Sequence, residues 1–597
     1  MAADSSINFK YLKSFYKILG SNLYVTILLS IVVTLFDSIG IGFLIGLTSS
    51  IFNSKVELSQ PLDNQFTSFL SKLGIHFSSV YVILIMGISA FILKSFLYYF
   101  QLLYQAKNTN TIISKSRLSL VEGLQNLNYG KFISMDFGRI QNVTTLEVLK
   151  LNSAMINYFS AIQFLFMALT YLAISFIVDY KISLIIVIFS GIFLLFLKQI
   201  KAYYHKLSLK VSASGDKYNS LLIQLLQNFK YLKLTHGFPH FIKKINYFIK
   251  AAEDKNYTIL KTNAISVSLR EPILLLLVLG ILVLYYYLNS EITTGALFSL
   301  ALFYRTLNYI ILTQTNFQMF TSFQGSIDNI LMLQQELDLN KEDSTTGTDF
   351  NFAHKLVFNN VSLKLQDKLI LDQVDLTLNK FQTVGIVGRS GAGKTTLANT
   401  LSGILSPDDG NITVDGQDIR SINSALFRSN IGYVSQVPVM FNDSFFNNIS
   451  LWAEKNSATI QKFEDVIAIA QLRELIHGYQ EKEDTIVGDN GIILSGGQKQ
   501  RVSIARELYK SPQILIMDEA TSSLDTETEN LIRQNIERLH GNITMLIIAH
   551  RLSTVENADI IYLIQDGRVL HSGTYEELLQ NSTEFRNLAK YQDKMIE

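Results

Sequence analysis

The chain has 597 residues, 48% of them hydrophobic and 17% charged, with a mean hydropathy of +0.24. One core usually serves about 100 to 200 residues, so more than one domain is expected, and the composition is too apolar for a wholly soluble protein and too charged for a pure membrane channel. A net charge of +1 argues against nucleic acid as a partner, and the absence of cysteine excludes disulfides, thiolate metal sites and cysteine nucleophiles, leaving oxygen or histidine to hold any metal.

At the N-terminus, Lys10, Lys13 and Lys17 precede an apolar stretch in outline like a secretory signal. The stretch is too long and has no small-residue cleavage site after a short apolar core, so it reads as a retained first span. It is the first of six apolar stretches, at 21–52, 79–105, 152–178, 182–204, 262–289 and 292–323. Each exceeds the ~20 helical residues that cross about 30 Å of hydrocarbon. Segments 106–150 and 205–261 are rich in cations, among them Lys107, Lys115, Arg117, Lys131, Arg139, Lys243 and Lys244, whereas the opposite loops offer little beyond Lys55, Lys72 and Lys181. Both termini are therefore expected on the cytoplasmic side. The two cationic segments are too long for turns. Leu221, Leu222, Leu225, Leu226, Phe229 and Leu232 recur at helical spacing, which favours helical extensions over disordered loops, with short cross-helices near 129–139 and 224–240.

Three charges fall inside the spans: Asp37, Lys94 and Arg305. Such charges are costly and mark candidate functional sites. At 1.5 Å per residue Asp37 lies about 24 Å above the cytoplasmic start of its span and Lys94 about 22 Å below the outer start of its own. In a core about 30 Å thick those depths differ by over about 10 Å, which argues against an ion pair and for Lys94 snorkelling to the cytoplasmic interface. Arg305 either faces a wet cavity, where it would meet an anionic substrate, or has a structural partner.

After the acidic, polar stretch from Glu342 and Asp343 to Asp349, short β-rich runs begin. This divides the chain into a membrane part at 1–330, a linker at 331–349 and a second domain at 350–597. An apolar strand at 383–387 leads into Gly388-Arg389-Ser390-Gly391-Ala392-Gly393-Lys394-Thr395, with Thr396 and a helix-compatible run behind it. In that strand–loop–helix context the pattern is a phosphate-binding loop. Its glycines let backbone N–H groups approach phosphates, Lys394 reaches the terminal phosphates, and Thr395 is placed for Mg²⁺. A second apolar strand, 514–517, ends in Asp518-Glu519, placing a Mg²⁺ ligand and a general base for the attacking water at the same sheet edge.

Leu494-Ser495-Gly496-Gly497-Gln498-Lys499-Gln500-Arg501 resembles the signature of ATP-binding cassette (ABC) proteins. The resemblance extends to Gln436 in Tyr433-Val434-Ser435-Gln436 as the glutamine loop at Mg²⁺, to Asp525 in Ser523-Leu524-Asp525 as the D-loop, and to His550 as the switch histidine. It implies ATP and Mg²⁺ as cofactors and an all-α six-helix transmembrane domain followed by an α/β P-loop ATPase. It also implies a head-to-tail dimer in which Ser495, Gly496, Gly497 and Gln498 of one subunit face nucleotide on the other's phosphate loop. With all motifs intact a homodimer is favoured over a heterodimer with a paralogue. Two positions depart from the family pattern: Leu365 stands where an aromatic residue usually stacks on adenine, and Gly488-Asp489 replaces the usual glycine–glutamate.

The order of the parts is similar to the exporter branch. Asn128-Tyr129-Gly130-Lys131-Phe132, Asn228-Phe229-Lys230-Tyr231-Leu232-Lys233-Leu234 and Tyr304-Arg305 resemble the bacterial lipid-linked oligosaccharide flippases, as does an amphipathic external segment with Phe66, Leu70, Leu73 and Phe77. That resemblance implies an amphipathic or lipid-linked substrate met by Arg305 and Arg270, and an inner-membrane protein with a cytoplasmic ATPase. Arg270 otherwise marks the cytoplasmic end of its span. Export of a peptide, lipid or drug-like compound is the alternative, and the lack of a peptidase domain before the first span counts against leader-cleaving peptide export. An ATP-gated channel or regulator is a further alternative, against which Glu519 and His550 speak.

Overall fold

The computed structural model describes residues 9–53, 80–178, 180–289, 294–342, 348, 350–365, 368–520, 534, 541–549 and 551–596. The external segment with Phe66 to Phe77, and the site candidates Asp525 and His550, lie outside the described residues. The chain divides into two compact units, residues 1–127 with 135–340, and residues 128–134 with 341–597.

The first unit is helical. Helix α1 (Phe9–Leu19) buries Tyr11, Phe15 and Leu19, spaced by four, and leaves Lys13 and Tyr16 exposed. Gly20 ends it in the left-handed conformation (φ 61), donating its N–H to Tyr16 O at 2.8 Å, the turn in which glycine costs least. The long helices are α2 (Asn22–Asn53), α3 (Val80–Gln125), α6 (Val148–Val178), α7 (Tyr180–Gln227), α9 (Phe238–Ser268), α10 (Arg270–Asn289) and α11 (Thr294–Leu339). Among the described residues, three runs are long and apolar enough to cross a membrane: Asn22–Gly40, Leu84–Gln125 and Phe137–Phe176. The fifth apolar stretch is divided at Leu269, where α9 ends and α10 begins. Helix α11 runs to Leu339, through the first part of the expected linker.

Short helices occupy both expected tips: α4 (Tyr129–Phe132) and α5 (Phe137–Asn142) at the first, α8 (Phe229–Leu234) at the second. Asn128 and Asp136 start α4 and α5, their side chains accepting N–H groups of Gly130 and of Gly138 and Arg139, as N-caps do. The tip residues 128–134 cluster with the second unit.

Helix α2 carries a hydroxyl ladder. Thr26, Ser30, Thr34 and Ser38 are buried and each donates to the carbonyl four residues earlier, at 2.7 to 3.0 Å. Antiparallel α3 pairs with this face: Tyr104 Oη donates to Asn22 Oδ1 at 2.6 Å, Asn108 Nδ2 to Thr26 Oγ1 at 2.7 Å and Gln101 Nε2 to Ser30 Oγ at 3.2 Å. In the same register Lys94 forms an ion pair with Asp37, contrary to the depth argument. The reason is helix length. The 32 residues of α2 make a rod about 48 Å long, so positions about 22 Å from opposite ends meet near its middle.

The second unit is α/β. A six-stranded sheet has the order β10-β9-β3-β8-β7-β6, parallel from β9 to β6 with β10 antiparallel at the edge; its strands are β3 (Thr383–Gly388), β6 (Ile431–Val434), β7 (Ile514–Asp518), β8 (Thr544–Ile548), β9 (Ile560–Gln565) and β10 (Arg568–Gly573). Strands β7 and β8 are buried at every position, which is why they read as uninterrupted apolar runs. An antiparallel sheet, order β2-β1-β4-β5, is built from β1 (Lys355–Leu365), β2 (Lys368–Asn379), β4 (Asp409–Val414) and β5 (Gln417–Asp418). Helix α12 (Lys394–Leu401) follows β3, and α13 (Gly496–Tyr509) carries the signature. Parallel strands bring their carboxyl ends to one edge, where ligands bind in such sheets.

Candidate nucleotide and substrate sites

Gly388 ends β3 beside β9, where a Cβ would lie 2.1 Å from Ile564 O, so only glycine fits this close approach. Gly393, at φ 100, caps α12, and its backbone conformation again favours glycine. Arg389, Ser390 and Gly391 form the exposed crest of the loop, Ala392 is buried beneath it, and Thr395 and Thr396 follow on the first turn of α12. Lys394 is 7% exposed; its Nζ donates to Gly388 O at 3.0 Å and Arg389 O at 3.1 Å, so the ammonium lies within the loop's own curve. Burial lowers its pKa, opposed by the charges of Glu519 and Asp518.

Asp518 ends β7 and is 2% exposed. Burial raises its pKa, while a hydrogen bond from Thr395 opposes the shift. Tyr433 Oη donates to its Oδ2 at 3.3 Å; Oδ1 is buried and has no hydrogen-bond partner. An orphaned carboxylate oxygen next to the Thr395 hydroxyl is the hard oxygen set that Mg²⁺ takes when phosphates complete its shell. The residues present therefore fit that ion. Glu519 adopts φ 52, a left-handed conformation that non-glycine residues hold where surrounding contacts fix it. Its N–H donates to Ile548 O at 3.0 Å, Gln500 Nε2 donates to its carbonyl at 3.1 Å, and Gln436 Nε2 donates to Oε2 at 2.6 Å.

Lys394, Thr395, Asp518, Glu519 and Gln436 thus come together at one sheet edge. Sequence reasoning quoted Tyr433 and Gln500 only as members of the glutamine-loop and signature motifs and gave neither a role of its own, because what each contacts lies on a different segment. Ser495 and Gly496 begin α13 at an exposed N-terminus. There a capping box, Ser495 Oγ accepting from Gln498 N at 3.2 Å and Gln498 Oε1 from Ser495 N at 2.8 Å, fixes the first turn, in which Gly497 also lies. Asp489 accepts from Asn442 Nδ2 at 2.7 Å.

In the first unit Arg305 is exposed and hydrogen-bonds Tyr309. Tyr309 stacks on Tyr171 with ring centroids 5.4 Å apart, and both hydroxyls reach Asp37 Oδ2, at 2.5 Å from Tyr171 and 3.5 Å from Tyr309. Arg305 therefore does have a structural partner, within a cluster that also holds Lys94 and Asp37. Among the described residues this cluster has two cations and one carboxylate. Arg270 opens α10.

Residues 371–522 match the ABC transporter family and residues 23–311 match the ABC transporter transmembrane region. The chain is 43% identical over 211 residues to the mitochondrial ATP-binding cassette sub-family B member 10 of Mus musculus, covering 35% of this chain and 30% of that protein. It is 37% identical over 289 residues to the ATP-dependent lipid A-core flippase of Yersinia pestis, covering 48% and 49%, and 39% identical over 267 residues to that of Salmonella typhimurium, covering 44% of each. The matches thus span between about a third and a half of those curated relatives' length. A solved bacterial Atm1-family ABC exporter with ATP bound superposes with a TM-score of 0.78 over 96% of this chain and 99% of that one, at 22% identity, which shows a common fold.

Proposed function

Because the chain belongs to the ABC transporters, with both their transmembrane region and their ATP-binding part, we propose that it is an ATP-driven flippase or exporter of an amphipathic, lipid-linked substrate. The observation that carries the ATPase reading is the convergence of Lys394, Asp518 and Glu519, with Gln436 bonded to the glutamate. In this reading the backbone from Gly388 to Thr396 cradles the ATP phosphates and Lys394 neutralises their charge. Thr395, Asp518 and Gln436 would hold Mg²⁺, which supplies further charge neutralisation when bound. Glu519 accepts the proton of the attacking water, with Gln436 orienting the carboxylate; His550 at the γ-phosphate and Asp525 across the dimer are assigned from the motif resemblance alone. We take 1–330 as the membrane part, 331–349 as the connection and 350–597 as the nucleotide part.

The substrate reading rests on the surplus positive charge at Arg305, which suits an anionic headgroup, with Arg270 as a second contact. Relatives named as lipid A-core flippases support a lipid-like cargo. The finer assignment is a lipid-linked oligosaccharide moved across a bacterial inner membrane. In this reading two copies form the working unit, the exposed start of α13 on one chain completing the nucleotide site of the other, as the motif resemblance implies.

The test is reconstitution in liposomes with polyprenyl-pyrophosphate glycans, lipids and peptides, scoring translocation beside Glu519→Gln. The variant is expected to keep ATP binding and lose turnover by about 10²- to 10⁴-fold, the usual contribution of a general base. Turnover at the wild-type rate would refute the assignment of Glu519, and transport of peptide alone would refute that of the cargo.

A further inference from the structure

Tyr433 lies on β6, opposite Ile516 of β7 in the parallel pairing and three residues before Gln436, which follows the strand. Its ring hydroxyl lies 3.3 Å from Asp518 Oδ2, and since an ionised carboxylate only accepts, the hydroxyl is the donor. The tyrosine is held from a second side. Its backbone N–H donates to Glu507 Oε2 at 3.0 Å, and Glu507, 5% exposed on α13, is paired with Lys510 at 2.6 Å. The ring packs on the core that includes Ala392 of the phosphate loop, with Tyr129 on the same core and near enough to act electrostatically on its hydroxyl. One oxygen of Asp518 is thereby occupied while the other, Oδ1, is buried without a partner.

We propose that Tyr433 is a positioning residue for Asp518: its hydroxyl fixes the carboxylate so that Oδ1 is presented to a divalent cation beside Thr395. This rests on the reading of Asp518 as a cation ligand. The ring itself could be replaced by phenylalanine without loss of packing, so the hydroxyl is the only group at issue. Tyr433 near the end of β6 and Gln436 two residues beyond it thus hold the two carboxylates of the Asp518-Glu519 pair, the first through a phenol and the second through an amide.

The experiment uses the full chain carrying Glu519→Gln, so that no turnover intervenes, and reads Mn²⁺ affinity by electron paramagnetic resonance in the presence of ATP. Tyr433→Phe is expected to weaken Mn²⁺ binding about two- to tenfold, the net worth of one hydrogen bond, while ATP affinity in EDTA stays unchanged. Tyr129→Phe, which removes a neighbouring hydroxyl with no bond to Asp518, is expected to change neither. Unaltered Mn²⁺ affinity in Tyr433→Phe, where Asp518→Asn weakens it, would overturn the proposal, as would equal weakening by Tyr129→Phe or a parallel loss of ATP affinity in EDTA. Should Asp518→Asn leave Mn²⁺ affinity intact, the reading of Asp518 falls, and the role of Tyr433 with it.

Discussion

Leu365 closes β1 opposite Lys368, partly buried against the core that also supports the phosphate loop. An aliphatic side chain there covers apolar surface but offers no π-face to a purine. Base–aromatic stacking is worth about 1 to 3 kcal/mol, so Leu365→Tyr is expected to tighten ATP binding by about tenfold, and to do so more for ATP than for a triphosphate lacking a purine. Equilibrium binding of a fluorescent nucleotide to the Glu519→Gln protein measures both. The candidate nucleotide site was legible to the extent that its chemistry depends on fixed spacing along one segment: Gly388 to Thr395 and Asp518-Glu519 stand out because strand, loop and helix follow one another. Tyr433 and Gln500 reach Asp518 and Glu519 through strand pairing and helix packing, between segments more than 15 residues apart in sequence, and the motifs that contain them do not announce these contacts.

Helices were legible from apolar runs, and their extensions beyond the apolar stretches from the length of the cationic segments between them. Depth was not, because counting residues from the ends of a span assumes that the helix stops where the hydrocarbon does. Helices α2 and α3 overshoot it, and their register is set by the amide and hydroxyl pairs along one face, which place Lys94 level with Asp37. A second polar contact was also invisible from sequence. Where α5 meets α7, Asn142 Nδ2 donates to Glu147 Oε1 at 3.1 Å and to Asp216 Oδ1 at 2.7 Å, so two acids share one amide. A π-helical turn at Val143–Glu147 carries the fully buried Glu147 to this point, and a Cβ on Gly138 would lie 2.2 Å from Ser220 N, so the helices pack with no room to relax. Burial, against the opposing hydrogen bond from Asn142 and with the Glu147 charge beside it, pushes Asp216 up to about 6 from its ordinary 3.8; Arg139 and Asp136 act in opposite directions, each already engaged, with Glu336 and Lys217 respectively. The folded chain then keeps a proton that the unfolded chain has released, so this group lowers stability as pH rises from about 4 to 6, and the loss is constant above that. Asp216→Asn keeps the acceptor for Asn142 and removes the charge. It is expected to stabilise the protein by about 1 to 3 kcal/mol at pH 7, and by less at pH 5. Thermal unfolding in detergent at the two pH values checks the sign.

Among the described residues each unit displays exposed apolar side chains. On α8, Phe229, Tyr231 and Leu234 are 52%, 67% and 71% exposed; in the nucleotide unit Val437 and Ile492 are 73% and 78% exposed, close in sequence to Gln436 and to the signature. Exposed apolar patches mark interaction surfaces, and in the proposed dimer the same side chains would recur on the second copy by two-fold symmetry. The nucleotide site makes the same demand more sharply, since the phosphate loop and the N-terminus of α13 belong to one chain but, in the proposed dimer, enclose different nucleotides. That arrangement has a consequence for mixtures. Chains carrying Lys394→Ala lack the ammonium at both sites of their homodimer, and chains carrying Ser495→Arg block both signature contacts in theirs, so each preparation alone is expected to be inactive. Co-assembled at equal amounts, half of the dimers are mixed, and each mixed dimer pairs the intact Lys394 of one chain with the intact Ser495 of the other at a single site. Random pairing therefore returns up to about a quarter of wild-type ATPase activity if sites act independently, and the amount recovered below that limit reports how strongly the two sites depend on each other. A chain that completed its own site would show no such rescue, because every subunit in the mixture carries one defect.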